Sequence, residues 1–299
     1  MRLDRRTALG LAVGTAVGAT AAPMAGAADR AEVLIWPQGM PEPVVPANPP
    51  ERIEKGADGT GRRFDISRPR LFVFPPSGGA RSNGAGVVVV PGGGFTKLAD
   101  EHEGSEACEF LAKHGFTAFL LVHRCPTDKH ADPSLGPAQD VQKAIQTVRQ
   151  RAGDWGLGPN RVGLMGFSAG GQVSVIGATN NLLFSGGDAA VSHKPDFMLL
   201  LYPWKIYDPA TRGLRADIHP DAGLPPTFIC QMGDDTGSLP QGSTLLYLEL
   251  INRKIPAELH IYEKGGHGFG MRSRPGSAGP SDWPTRALDW LRIRGLLTP

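Results

Sequence analysis

Arg161-Val162-Gly163-Leu164-Met165-Gly166-Phe167-Ser168-Ala169-Gly170-Gly171 is the stretch on which the fold turns. Residues 162–165 read as a short buried strand. Small residues then turn the chain, and a helix begins at or just after the serine. Gly166-x-Ser168-x-Gly170 has the form of a nucleophile elbow, a strand-to-helix turn that forces its serine into a strained backbone conformation. Glycines on either side let the chains approach where a Cβ would clash. The serine oxygen then projects from the C-terminal edge of a sheet, with the positive end of a helix behind it. Five residues are a weak signal in a chain with 40 glycines. The strand before them and the helix-compatible residues 172–178 after them supply the context. The reading therefore depends on whether the rest of the chain provides a base, an acid and an oxyanion hole in the right order.

Outward from the elbow, apolar runs recur. Gly86-Val87-Val88-Val89-Val90 is β-branched without polar alternation, the pattern of a strand buried on both faces of a parallel sheet. It runs into Pro91-Gly92-Gly93-Gly94-Phe95, then a loop over 96–104. Further strands are expected at 117–122, 197–202, 227–232 and 257–262, and helices at 105–114, 137–151, 243–253 and 282–294. Earlier, Val33-Leu34-Ile35-Trp36 reads as an edge strand, and Phe64-Asp65-Ile66-Ser67 and Leu71-Phe72-Val73-Phe74 as antiparallel strands. Alternating strands and helices from Val87 onward imply right-handed crossovers and a mostly parallel sheet with helices on both faces. Residues 205–226 form a short polar excursion without a long apolar helix. No internal repeat or interdomain linker is evident.

The 299 residues suffice for one large α/β domain. The net charge of +2 and the scattered basic residues give no phosphate-tracking stripe, which argues against a nucleic-acid partner. Cys108, Cys125 and Cys230 are too few for a disulfide framework, and Cys230 lies in an apolar run that reads as packing. There is no Cys-x-x-Cys or paired histidine motif, so no ligand set for a metal is visible, and no cofactor is implied. Arg2, Arg5 and Arg6, the weakly apolar residues 8–22 and Ala25-Gly26-Ala27 together read as a signal peptide over residues 1–27. The Arg5-Arg6 pair favours a twin-arginine type. The apolar part is too short and glycine-rich for a stable membrane span. The mature chain is expected to start near Ala28 and to be exported, periplasmic or secreted.

Three further features fall after core strands, on the edge where open α/β sheets place their sites. His267 sits among glycines after the last strand, and an imidazole suits the removal of a serine proton near neutral pH. Asp234 and Asp235 follow the penultimate strand, in the chain order Ser, Asp, His. Either could hold the imidazole, and the spacing leaves both open. The run Gly92-Gly93-Gly94 follows the first core strand, where bare backbone amides can approach an oxyanion. Ala169, next after the serine, supplies the other amide.

Taken together, several motifs resemble the α/β-hydrolase esterases of the acetylxylan-esterase and hormone-sensitive-lipase-like type. They are Pro91-Gly92-Gly93-Gly94-Phe95, Leu98-Ala99, His102-Glu103-Gly104, Gly166-Phe167-Ser168-Ala169-Gly170-Gly171, Leu201-Tyr202-Pro203-Trp204, Asp234-Asp235 and Gly266-His267-Gly268-Phe269-Gly270. The resemblance implies an α/β-hydrolase fold with a mostly parallel central sheet, helices on both faces and a minimal cap. The domain would cover residues 70–299, after a proline-rich lead-in over 28–69 with its edge strand. It implies an exported esterase that removes acyl groups, often acetyl, from plant polysaccharides or their oligomers. It implies Ser168, Asp235 and His267 as the triad, with Gly93, Gly94 and Ala169 around the oxyanion. Phe95, Trp204 and His102 are candidates for contact with the carbohydrate ester. Two departures stand out: Pro91 replaces a histidine common before the glycines, and Gln172 stands where histidine is frequent. Competing readings are a feruloyl or general carboxylesterase, a secreted serine peptidase, and a non-catalytic carbohydrate-binding protein on the same fold. A peptidase would normally carry extra recognition elements, and a non-catalytic relative would normally have lost a triad member.

Overall fold

The computed structural model describes residues 30–272 and 282–297. Along the chain come the strands β1 (Glu32–Leu34), β2 (Arg52–Lys55), β3 (Gly61–Phe64) and β4 (Arg70–Phe74). Next are β5 (Gly86–Val90), helix α1 (Glu106–Lys113), β6 (Thr117–Val122) and helix α2 (Leu135–Gln150). The elbow supplies β7 (Val162–Phe167) and α3 (Ala169–Thr179), followed by β8 (Met198–Leu201). Two short strands, β9 (Tyr207–Asp208) and β10 (Gly213–Leu214), precede β11 (Thr227–Met232). Helix α4 (Pro240–Asn252), strand β12 (Ala257–Tyr262) and helix α5 (Trp283–Ile293) complete the order.

Eight of these strands form one sheet in the order β1-β4-β6-β5-β7-β8-β11-β12. The six from β6 to β12 are mutually parallel, while β1 and β4 run antiparallel at one edge. The continuous apolar runs are explained by what covers them. Val87 and Val89 of β5 point into one core with Met165 and Phe167 of β7 and Leu199 and Leu201 of β8. Val88, Val90, Leu164 and Leu200 point into the other. Helices α1 and α5 cover the first face, through Ala107, Leu111, Ala287 and Leu291. Helices α2, α3 and α4 cover the second, through Val141, Ile145, Val173, Ile176 and Leu246. Period-two alternation with apolar residues on both sides is what a doubly covered sheet requires.

Strand order also places the site. From β5 the chain crosses to β6 on one side, and the next sheet strand, β7, pairs with β5 on the other. The connections leave in opposite directions there, opening a crevice beyond the carboxyl ends of β5 and β7. The loop after β5 and the elbow after β7 both empty into it.

Some boundaries differ from the sequence reading for identifiable reasons. Phe64-Asp65-Ile66-Ser67 is not a strand as such. β3 ends at Phe64 and pairs with β2 in a hairpin, Asp65 takes φ 56°, and Ile66 makes only an isolated bridge to Cys125. The proline-rich stretch thus contains a hairpin as well as the edge strand β1, which pairs with β4. The expected loop before α1 holds a turn of π-helix at Glu101–Ser105 that buries Glu103. The excursion after β8 contains the β9–β10 hairpin and one three-residue turn of 3-10 helix, so the cap is minimal. All three cysteines are buried and none is in a disulfide. The expected signal segment lies outside the described residues. Among the described residues, no helix is long and apolar enough to cross a membrane.

Candidate active site

Ser168 occupies the sharp turn between β7 and α3 with φ 49° and ψ −119°, a conformation that costs a non-glycine residue energy and persists only when its surroundings enforce it. They do so through close packing. A Cβ built on Gly170 would stand 2.0 Å from the Val90 carbonyl oxygen and 2.6 Å from that of Pro91. The start of α3 therefore rests directly on the end of β5. On the other side, the Ser168 amide donates to the Leu201 carbonyl at 3.0 Å, and the Trp204 amide donates to the Ser168 carbonyl at 2.8 Å.

The serine oxygen lies 2.7 Å from His267 Nε2. His267 Nδ1–H donates to Asp235 Oδ2 at 2.7 Å, which leaves Nε2 free to accept the serine proton. Ser168 and Asp235 are buried, whereas the imidazole keeps 30% of its surface. Of the two aspartates, Asp235 is the one against the imidazole. Its Oδ1 accepts the amides of Gly237 at 2.9 Å and Ser238 at 2.8 Å, so its orientation is fixed by backbone. Asp234 has a different task. Its Oδ1 accepts the amides of Gly265 and Gly266 at 3.0 and 2.9 Å, and so ties the histidine loop to the end of β11.

The glycine run after β5 adopts backbone that side chains would obstruct. Gly93 has φ 130°, and a Cβ there would fall 2.0 Å from the Lys97 carbonyl oxygen. A Cβ on Gly92 would meet Ser168 Cβ at 2.6 Å, which brings this loop against the nucleophile turn. The Gly92 amide is already committed, donating to Glu103 Oε2 at 2.9 Å. The amides of Gly93 and Gly94 make no hydrogen bond to any described residue. Ala169 opens α3, where the first amides of a helix have no intrahelical acceptor.

Sequence reasoning did not assign the polar tie beneath these loops. Glu103, on the π-helical turn, is 2% exposed. Its Oε1 accepts the Tyr202 hydroxyl at 2.8 Å, and the same hydroxyl oxygen accepts the Gly270 amide at 2.8 Å. The loops after β5 and β12 are thus joined through Tyr202 at the end of β8. The Tyr202 ring also packs edge-on against His267, with centroids 5.1 Å apart. Burial, then the neighbouring Glu103, pushes the Tyr202 hydroxyl well above its usual range and keeps it a donor. The available signal was a tyrosine at the end of a fully apolar strand, where a buried hydroxyl must find a partner.

The remaining candidates divide. Phe95 and Trp204 meet edge-on at 5.8 Å and both line a cavity of about 250 Å³ beside Gly94. Phe95 is 4% exposed and belongs chiefly to the core. One face of Trp204 is covered by the Lys205 ammonium, 4.1 Å from the ring centroid. His102 lies elsewhere. It is buried under the histidine loop, where its carbonyl accepts the Met271 amide at 2.9 Å, and it does not line that cavity. Burial pushes its imidazole below the ordinary histidine range. Among the described residues, no group of three or more His, Cys, Asp or Glu side chains gathers as a metal site.

A mostly parallel sheet with a switch point at β5, an elbow after β7 and aspartate and histidine loops after β11 and β12 define an α/β-hydrolase. Comparison with known proteins places the chain more closely. The BD-FAE family model matches residues 73–192. The chain is 32% identical over 222 residues to an acetylxylan esterase of Xylanibacter ruminicola, covering 69% of this chain and 45% of that protein. It is 26% identical over 204 residues to endo-1,4-beta-xylanase B of Butyrivibrio fibrisolvens, covering 61% of this chain and 32% of that one. The chain thus spans less than half the length of each of these two relatives. The structure of an acetyl ester-xyloside bifunctional hydrolase from Caldicellulosiruptor lactoaceticus superposes with a TM-score of 0.66 at 26% identity, covering 90% of this chain and 97% of that one. The likeness to α/β-hydrolase esterases of the acetylxylan-esterase type therefore extends well beyond the short motifs.

Proposed function

We propose that this protein is an exported serine esterase that removes acyl groups, acetyl above all, from plant-type carbohydrates. The observation that carries the reading is the unbroken line from Ser168 through His267 to Asp235, with distances of 2.7 Å at both links. The similarity to an acetylxylan esterase and to an acetyl ester-xyloside hydrolase supports the choice of ester and sugar. Support for export is the basic, small-residue N-terminus with Arg5-Arg6 and Ala25-Gly26-Ala27.

In this mechanism His267 Nε2 takes the Ser168 proton as the oxygen attacks the ester carbonyl. Asp235 holds the Nδ1–H tautomer and stabilises the imidazolium that forms. The amides of Gly93, Gly94 and Ala169 receive the developing oxyanion. His267 returns the proton to the departing sugar hydroxyl, and water, activated by the same imidazole, then releases the acid from the acyl-serine. The short cap leaves the nucleophile open to an oligomer or polymer rather than enclosed in a tunnel.

Replacing Ser168 by Ala is expected to lower kcat on an aryl acetate by about a millionfold, the loss seen when another serine hydrolase loses its nucleophile. Full activity of Ser168→Ala in a preparation free of other esterases would overturn the reading. Acetate release from acetylated xylan, measured beside ferulate release from methyl ferulate, tests the acyl group.

A further inference from the structure

The cavity beside Gly94 holds a polar lining that the reaction centre does not use. Gln172 lies one helical turn beyond the nucleophile, its amide donating to the Ser168 carbonyl at 3.0 Å. The side chain is only 1% exposed, yet its Oε1 has no hydrogen-bond partner among the described residues. Buried polar oxygens are nearly always bonded, so an unpaired one on a residue that lines a cavity needs an explanation.

The rest of the lining supplies one. Asp128, Asp132, Lys205 and Arg215 line the same space of about 250 Å³. Asp132 spends Oδ1 on the Ser134 amide and hydroxyl, leaving Oδ2 without a bond to any described residue. Arg215 is paired with Asp217 through two bonds, at 2.9 and 2.6 Å. Lys205 makes no ion pair with a described residue and sits over Trp204. It also takes φ 47°, a left-handed conformation that is uncommon for lysine. Acceptors and donors thus share the lining of one small space. An acetyl methyl group needs none of them. Hydroxyl groups, each able to donate and accept, need all of them.

We propose that this cavity is a subsite for the hydroxyls of a pyranose ring, with Gln172 as the residue that selects a sugar ester over an aryl or alkyl ester. The assignment builds on the esterase reading above and specifies the alcohol side of its substrate. It makes Gln172, in place of a histidine frequent at that position, part of substrate choice rather than of proton transfer.

The test uses Gln172→Leu, which roughly keeps the volume and removes the amide, and Asp128→Asn, at a half-buried position. The ratio of kcat/KM for an acetylated methyl xyloside to that for 4-nitrophenyl acetate is measured in each. The ratio is expected to fall at least about tenfold, because a site built to bond hydroxyls loses discrimination when a partner is removed. A ratio within about twofold of the parent overturns the proposal. So does a selective loss on methyl ferulate, which would assign the cavity to the acyl group. Titration of the parent and Gln172→Leu with methyl β-xylopyranoside separates this idea from the esterase reading. Binding that weakens in the variant supports the subsite whether or not the esters turn over. No binding to the parent overturns the subsite, even if Ser168 proves to be the nucleophile.

Discussion

The floor and the rim of the candidate site are held in different ways. The floor consists of the loop after β5, the elbow and the loop after β12. Its ties are buried: Gly92 to Glu103 nearby in sequence, then the distant Glu103 to Tyr202 and Tyr202 to Gly270, which stands 68 residues further on. The rim, residues 205–224, is anchored by Ile206, Ile218 and Leu224 in the core, but its acidic and basic side chains pair largely with near neighbours. Arg215 pairs with Asp217, and Thr211 and Ala210 donate to Asp208, all at partly or wholly exposed positions. A buried bond that loses one partner leaves the other unpaired away from water, whereas an exposed one is replaced by solvent. The difference separates two jobs. The proposed reacting groups are locked to the fold, while the surface proposed to meet the alcohol is free to vary at small cost in stability.

The floor should therefore break hardest. Gly170→Ala puts a methyl carbon within 2.0 Å of the Val90 carbonyl oxygen, and neither that atom nor the Pro91 carbonyl belongs to a side chain that can rotate away. We expect a loss of more than about 4 kcal/mol, the range reserved for such clashes, seen as failure to accumulate folded protein or a large drop in urea midpoint. A thermal midpoint within a few degrees of the parent would mean that α3 and β5 are not locked together.

Tyr202→Phe comes next. It strands the Gly270 amide and one Glu103 oxygen in the interior, at a cost of about 1–3 kcal/mol. Because the same bonds align the glycine loop with His267, kcat on an aryl acetate should fall roughly ten- to hundredfold. KM should change much less. Glu103→Gln keeps an acceptor for Gly92 and should lose less than Tyr202→Phe in both respects. If both variants lose stability with kcat unchanged, the network is scaffolding and does not position the reacting groups.

The same division governs what could be read from the sequence. β6 and β11 begin and end where expected, because a strand buried inside a parallel sheet is apolar almost throughout. Ser168 and His267 were legible because each sits beside glycines at a strand end. The choice between Asp234 and Asp235 was not legible from spacing. Both follow β11, and only the turn sends one carboxylate inward to His267 and the other to the loop amides. Glu103 was harder still. In Glu101-His102-Glu103 an acidic surface turn is an equally good reading, and burial is decided by a π-helical turn that local pattern does not announce. Asp65 ended a strand that β-propensity would have continued, through a left-handed backbone conformation. Of the cavity lining, Phe95 and Trp204 were legible beside their motifs, but its polar side was not, since Asp128, Gln172 and Arg215 come from three separate parts of the chain.

The weakest expected effect lies on the rim and sets the scale for the others. Asp217 is one-third exposed and pairs with Arg215 only two residues away, so the bonds close a small loop and cross no part of the fold. The hydrogen bonds to Asp217 hold the Arg215 guanidinium above its usual pKa, although both groups still reach water. Asp217→Ala should cost roughly 0–1 kcal/mol, as exposed pairs do, and move the thermal midpoint by about 2–4 °C at most. The freed Arg215 can turn to solvent or reach further into the cavity, so the sugar-ester preference is expected to shift more than the stability does. A loss as large as that of Tyr202→Phe would erase the distinction between floor and rim. It would mean that the excursion after β8 is held as firmly as the elbow and is part of the scaffold that aligns Ser168.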